Sequence, residues 1–224
     1  MRTQCCRPTA HLSNRPDRVE YIWLNMADAG VIPKPGRSVS GIGPGHPLIA
    51  PCRGSLPAWE GVPVKLRPMT NADETAVLTL NAASVEQLSP LGPDRLDWLR
   101  LIAAHAAVVE VEGEVAAFVL TFAPGAAHDS LDFQWFVDTY SDRFLHLDRI
   151  VVAENYRRQG IATTIYRAVE RAAKPFDRLV CRVQSDPPDI ASLAFHAGRD
   201  FVEVGKLRRP DGTTSAMLTK ELTD

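Results

Sequence analysis

Residues 148–173 constrain the chain most, because they read as a strand, a tight basic turn and an amphipathic helix in unbroken succession. Arg157, Arg158, Gln159, Gly160, Ile161 and Ala162 carry the chain into the helix, where Ile161, Ile165, Ala168, Val169 and Ala172 recur at the 3.6-residue period. A strand feeding a helix in this way belongs to an α/β fold, and the right-handed crossover rule makes the next strand, residues 179–183, parallel to the first. The start of a helix presents unpaired N–H groups and a positive dipole end. Gly160 can adopt positive φ and admits close approach, while the two arginines can reach anionic oxygens in pairs. The guest this predicts is a phosphate or pyrophosphate. Neither the Gly-Lys-Ser/Thr ending of a nucleoside-triphosphate loop nor Gly-x-Gly-x-x-Gly is present, which argues against ATP, GTP and NAD.

Residues 1–62 differ in kind from the rest of the chain. Prolines recur from Pro8 to Pro57, with Gly36, Gly41, Gly43 and Gly45 among them, so the segment cannot propagate helix or sheet and is expected to be disordered. Only residues 19–29 suggest a short helix, with Val19, Ile22, Trp23 and Met26 on one side. The domain pattern begins just after Val62, which suggests a true translation start there; the domain is then residues 63–224. A formal net charge of −2 gives no argument for nucleic acid or a membrane as partner. No apolar run is long enough to span a bilayer and no signal-peptide core is visible, so the expected address is the cytoplasm. Cys5, Cys6, Cys52 and Cys181 have neither metal-ligand nor disulfide-framework spacing, and no metal is expected.

Within the domain, residues 64–69 alternate as a short strand, and Asn71 with Glu74 suggests a capping box opening a first helix through Val77 and Leu80. Pro90, Gly92 and Pro93 break it, and residues 94–104 carry a second helix with Leu96, Trp98, Leu99 and Ile102. Residues 106–111 and 115–122 form a hairpin through Gly113. Residues 124–140 read as a loop bearing Phe133, Trp135, Phe136 and Tyr140, which either lines a binding site or covers the core edge. The strand 144–153 comes next, nearly continuous in apolar character after Asp148 and therefore buried on both faces. Pro175 ends the long helix, and two last strands lie near 202–206 and 215–221.

The sequence Val151-Val-Ala-Glu-Asn-Tyr-Arg-Arg-Gln-Gly-Ile-Ala162 resembles the Arg/Gln-x-x-Gly-x-Gly/Ala signature of the GNAT acetyltransferase superfamily. The resemblance implies a GNAT-like mixed β-sheet flanked by helices, with a V-shaped opening for acetyl-CoA. It also implies that the amides of residues 157–163, Thr163 included, hold the pyrophosphate. Residues 186–201 resemble the second signature, Asn-x-x-Ser-x-x-Phe-Tyr-x-x-x-Gly-Phe, with Ser192, Phe195 and Phe201 matching. Asp189 replaces Asn, His196 replaces Tyr and Asp200 replaces Gly. Asp189 cannot donate as Asn can, and Asp200 costs on the order of 1 kcal/mol if positive φ is needed there.

In that family the Tyr protonates the leaving thiolate, and a main-chain N–H of the central strand holds the carbonyl oxygen. The matching positions here are His196 and the segment Ile150, Val151 and Val152. Asp148, or His146 placed on its face by strand alternation, is the candidate base, taking the proton directly or through water, and Asp148 could equally hold an ammonium substrate; the competing reading is an Asp satisfied by Arg149 or Arg143. Trp135 and Phe136 are candidates for the acceptor pocket. The expected activity is acetyl-CoA-dependent transfer to a small amine or a protein amino group, and a homodimer is an open option. The alternatives are a CoA-binding module without turnover, or an interaction protein using the Pro-rich arm.

Overall fold

The computed structural model describes residues 64–84 and 88–222. Seven strands within them build one sheet: Val64–Pro68 (β1), His105–Val111 (β2), Glu114–Phe122 (β3), Leu145–Val152 (β4), Arg178–Asp186 (β5), Val202–Arg208 (β6) and Thr214–Glu221 (β7). Their spatial order is β1-β2-β3-β4-β5-β7-β6, antiparallel throughout except for the β4–β5 pair. This is the mixed sheet the sequence predicts. The helices are Glu74–Ala82 (α1), Pro93–Ile102 (α2), Leu131–Tyr140 (α3), Ile161–Ala173 (α4) and Ile190–Ala197 (α5). The expectations for residues 1–62, the 19–29 helix and the start near Val62 among them, lie outside the described residues.

The sheet has a core on each face. On one face α4 buries Ile161, Ile165, Ala168, Val169 and Ala172 against Ala117, Val119, Leu145 and Leu147. On the other, Val77, Leu96, Leu99, Phe133 and Phe136 from α1, α2 and α3 meet Phe118, Leu120, Phe122 and Val151. At Glu112 and Gly113 the hairpin turns with both φ values positive, 52° and 87°, the mirror-image turn that matches strand twist.

Three local expectations are corrected. The first helix is capped one residue early: the Thr70 N–H and Oγ1 both donate to the Asp73 carboxylate, at 2.8 and 2.9 Å, and Arg67 forks onto the same group. Asn71 and Glu74 do not form the box.

The segment 124–140 is not a loop throughout. Ser130 Oγ accepts the Phe133 N–H at 3.1 Å and opens α3, whose Phe133, Phe136 and Tyr140 share one helical face. Burial of that aromatic face decides the structure over the β-favouring character of its residues.

The third correction concerns β4. Leu120 of β3 pairs with Arg149 while Thr121 pairs with Leu147, so Asp148 is an extra residue in a bulge. Strict alternation therefore fails there: Leu145, Leu147, Ile150 and Val152 serve the α4 face, and His146, Arg149 and Val151 the other.

Candidate active site

The strands β4 and β5 pair only at Leu145 with Leu179, His146 with Val180 and Leu147 with Cys181. Beyond these the strands diverge around a cleft of ≈ 480 Å³. Ala153 sends its N–H to Ala116 in the neighbouring β3 at 2.9 Å. Main-chain direction alternates along a strand, so the polar groups of Val152 and Ile150 point into the split and those of Val151 point to β3. Arg157 Nε donates to the Val152 carbonyl at 3.2 Å. The Ile150 N–H is left facing the opening.

At the outer end of the cleft the turn before α4 takes two left-handed residues, Arg158 at φ 61° and Gly160 at φ 82°. A Cβ on Gly160 would meet nothing within 4 Å, so backbone conformation, not space, calls for glycine there. Gln159 Nε2 donates to the Asn155 carbonyl at 2.8 Å and holds the turn closed. The first helical bond runs from the Thr164 N–H to the Gly160 carbonyl, so the amides of Ile161, Ala162 and Thr163 precede the ladder. Arg157 and Arg158 are exposed beside them. A diphosphate fits this end, and an extended chain attached to it fits the split.

The opposite wall comes from α4 and α5. His196 Nδ1 is 2.7 Å from the Ser192 carbonyl, which only accepts, so Nδ1 carries the proton. Nε2 therefore accepts from the Tyr166 hydroxyl, 2.6 Å away. Burial pushes the Tyr166 phenol well above its ordinary value and holds His196 below its own, so both are neutral near pH 7. Both line the cleft, as does Asp189, whose Oδ1 caps α5 by accepting the Ser192 N–H at 3.0 Å.

The inner end is Asp148. Its Oδ2 accepts from Arg149 Nε at 3.1 Å, and its Oδ1 lies 3.6 Å from His128 Nε2. Arg149 is held in turn by Asn81 Oδ1 at 2.7 Å and by the Ser89 carbonyl and hydroxyl at 2.8 Å each. Arg143, the other expected partner, pairs with Asp177.

Residues 74–201, more than half of the chain, match the Acetyltransferase (GNAT) family. The chain belongs to this family. Its members carry out acetyl-CoA-dependent acetylation, and the residues at the split and the turn fit that co-substrate. Solved GNAT structures share the fold at low sequence identity. Ard1 from Thermoplasma volcanium is 16% identical, with a TM-score of 0.58, over 72% of this chain and 99% of that one. The ribosomal-protein-S18-alanine N-acetyltransferase from Escherichia coli is 16% identical, with a TM-score of 0.52, over 72% and 95%. The NatC complex bound to Gag peptide and CoA matches at 13% identity with a TM-score of 0.54, over 71% and 99%. No curated protein sequence matches the chain.

The GNAT cleft brings together Asp148, Ile150, Val151, Val152, Arg157, Asp189, Ser192 and His196 of the residues singled out from sequence. Arg158, Gln159, Gly160, Ile161, Ala162 and Thr163 form the turn and helix start at its outer end, and the remaining candidates lie elsewhere. Phe195 packs on Tyr166, with ring centroids 5.1 Å apart. Phe136 is buried among Phe144 and His146, and Trp135 lies against Gly205. His146 is wholly buried between His128, Phe133 and Phe136, away from the cleft lining. Sequence reasoning missed Tyr166, hidden beside Ile165 in the apolar stripe, and His128, isolated in a segment read as loop. Among the described residues no group of three or more His, Cys, Asp or Glu is arranged to hold a metal, and no helix is long and apolar enough to cross a membrane.

Proposed function

We propose that the chain is an N-acetyltransferase that acts on the primary amine of an acceptor reaching the split from the Asp148 end. The observation that carries this reading is the β4–β5 split, with anion-binding amides at one end and a half-buried carboxylate at the other. Acetyl-CoA supplies an acyl group activated as a thioester.

The chain's own residues divide the remaining work. Ile161, Ala162 and Thr163 donate amides to the diphosphate, with Arg157 and Arg158 adding charge. The Ile150 N–H donates to the carbonyl oxygen as negative charge gathers there. Asp148 accepts the proton that the acceptor amine sheds as its nitrogen bonds to the acyl carbon, directly or through water. Tyr166, kept protonated by burial, turns its hydroxyl proton from His196 Nε2 toward the departing sulfur. His196 thus positions the donor. In net terms the amine loses one proton and the sulfur gains one.

The deciding experiment mixes the full chain with acetyl-CoA and a panel of primary amines and measures free thiol. Thiol release that depends on an amine supports the reading. Acetyl-CoA binding without release for any amine turns it into a binding module instead.

A further inference from the structure

Asp148 lies in the β4 bulge, where no residue of β3 is paired with it. Its Oδ2 is fixed by Arg149, itself held by Asn81 and Ser89. A carboxylate tied at one oxygen can still swivel about that contact. The other oxygen, Oδ1, faces His128 Nε2 at 3.6 Å.

The contacts of His128 fix where that nitrogen points. The Ser130 N–H donates to His128 Nδ1 at 3.2 Å, so Nδ1 accepts and the ring proton is on Nε2. Gln134 Nε2 donates to the His128 carbonyl at 2.9 Å, so the first turn of α3 grips both the ring and the main chain of this residue. The imidazole meets Phe122 edge-on, with centroids 4.3 Å apart, and lies 5.2 Å from the Phe133 ring. His128 is 3% exposed, and burial holds it below its ordinary value against the pull of Asp148, which makes it a neutral N–H donor near pH 7. Its Nε2 has no hydrogen-bond partner among the described residues. Packing alone does not call for this donor, because Phe or Leu in the same aromatic cage would bury no N–H without an acceptor.

From this we infer that His128 is a positioning residue for the base: as the acceptor amine arrives, its Nε2–H closes onto Asp148 Oδ1, so that a donor on each oxygen fixes the plane of the carboxylate. The inference rests on the acetyltransferase reading with Asp148 as proton acceptor. A separation of 3.6 Å is beyond hydrogen-bond length, and catalytic contacts of this kind commonly draw in when substrate binds. His128 does not itself take the proton, because Nε2 already carries one and Nδ1 is occupied by the Ser130 N–H.

The test uses the full chain, acetyl-CoA and an amine that the parent acetylates. His128→Leu keeps an apolar body without the N–H, and kcat should fall by roughly tenfold or more with KM for acetyl-CoA little changed. His128→Gln, whose amide nitrogen reaches where Nε2 stands, should retain most of the rate. His128→Asn stops short of Asp148 and should lose rate as His128→Leu does. In an Asp148→Asn background His128→Leu should cost little further, because the imidazole then has no base to aim. Melting curves confirm that each variant is folded, and if His128→Leu does not fold, equal kcat in the Gln and Asn variants overturns the inference. If His128→Leu keeps the parent kcat, or costs the same factor with and without Asp148, this inference falls while the acetyltransferase reading stands. If no amine is acetylated by the parent, the acetyltransferase reading falls and takes this one with it.

Discussion

The Tyr166 hydroxyl donates to His196 Nε2 across 2.6 Å, and the Ser192 carbonyl fixes the imidazole from its other side. Replacing Tyr166 with Phe removes the hydroxyl whose proton His196 Nε2 holds and leaves a buried ring nitrogen without a donor. Chemical unfolding should show a loss of about 1–3 kcal/mol. In stopped thiol-release assays kcat should fall by roughly 10²-fold or more with KM for acetyl-CoA little changed. A stability loss with unaltered kcat would leave the pair a structural one.

Asp148→Asn preserves shape and one contact to Arg149 but removes the proton acceptor. We expect kcat to fall by roughly 10²–10⁴ with KM for acetyl-CoA little changed. An unchanged rate would remove Asp148 as the base and leave it as the partner of Arg149.

Gly160→Ala places a Cβ on a residue at φ 82°, with open space around it. The cost is backbone strain alone, about 1 kcal/mol, with no clash to relieve. Because the strain can relax only by unwinding the turn that presents the amides, calorimetric titration with CoA should show weaker binding. Tight binding with an unaltered melting temperature would contradict this.

Burial pulls His146 down to about 4, and neither of its ring nitrogens has a hydrogen-bond partner among the described residues. The unfolded chain titrates near 6.5, so below that pH it binds a proton the folded protein refuses. Stability is therefore full above about pH 6.5 and declines as the pH falls toward 4, by on the order of 1 kcal/mol per unit for this one group. His105, also drawn down to about 4 by burial, adds in the same direction. His146→Leu should lessen the drop in melting temperature between pH 7 and pH 5. A variant that loses stability equally with the parent over that interval would rule out His146 as a source.

The strands, the long helix and its basic turn were legible from local pattern because each is set by neighbours in the chain: apolar period, Gly160 and the two arginines. Asp200 was legible in the same way, as a non-glycine at a position that does take positive φ, 65°. The failures are long-range. Nothing near Phe133 says that its aromatic stripe will meet a sheet face, so α3 read as loop. Arg182 lies on β5 and Arg209 in the turn after β6, and they meet at Asp132 only because β5, β7 and β6 lie in that order. Trp135 and Phe136 looked available because aromatic rings in a presumed loop imply a surface, and His146 because strand alternation set it beside Asp148, whereas helix formation turned Phe136 inward onto His146. Asp148 was found by its charge, but the alternation used to place its neighbours assumed an unbroken ladder.

That interruption gives Asp148 an unusual status. The pairing of β3 with β4 runs from Leu147 to Arg149 as though the residue between them were not there. Strand register, and with it the assignment of every other β4 side chain to its layer, is independent of what occupies position 148. The architecture thus reserves a slot at the inner end of the cleft whose occupant is free to vary, so the chemistry there can be rewritten by substitution without renegotiating the fold.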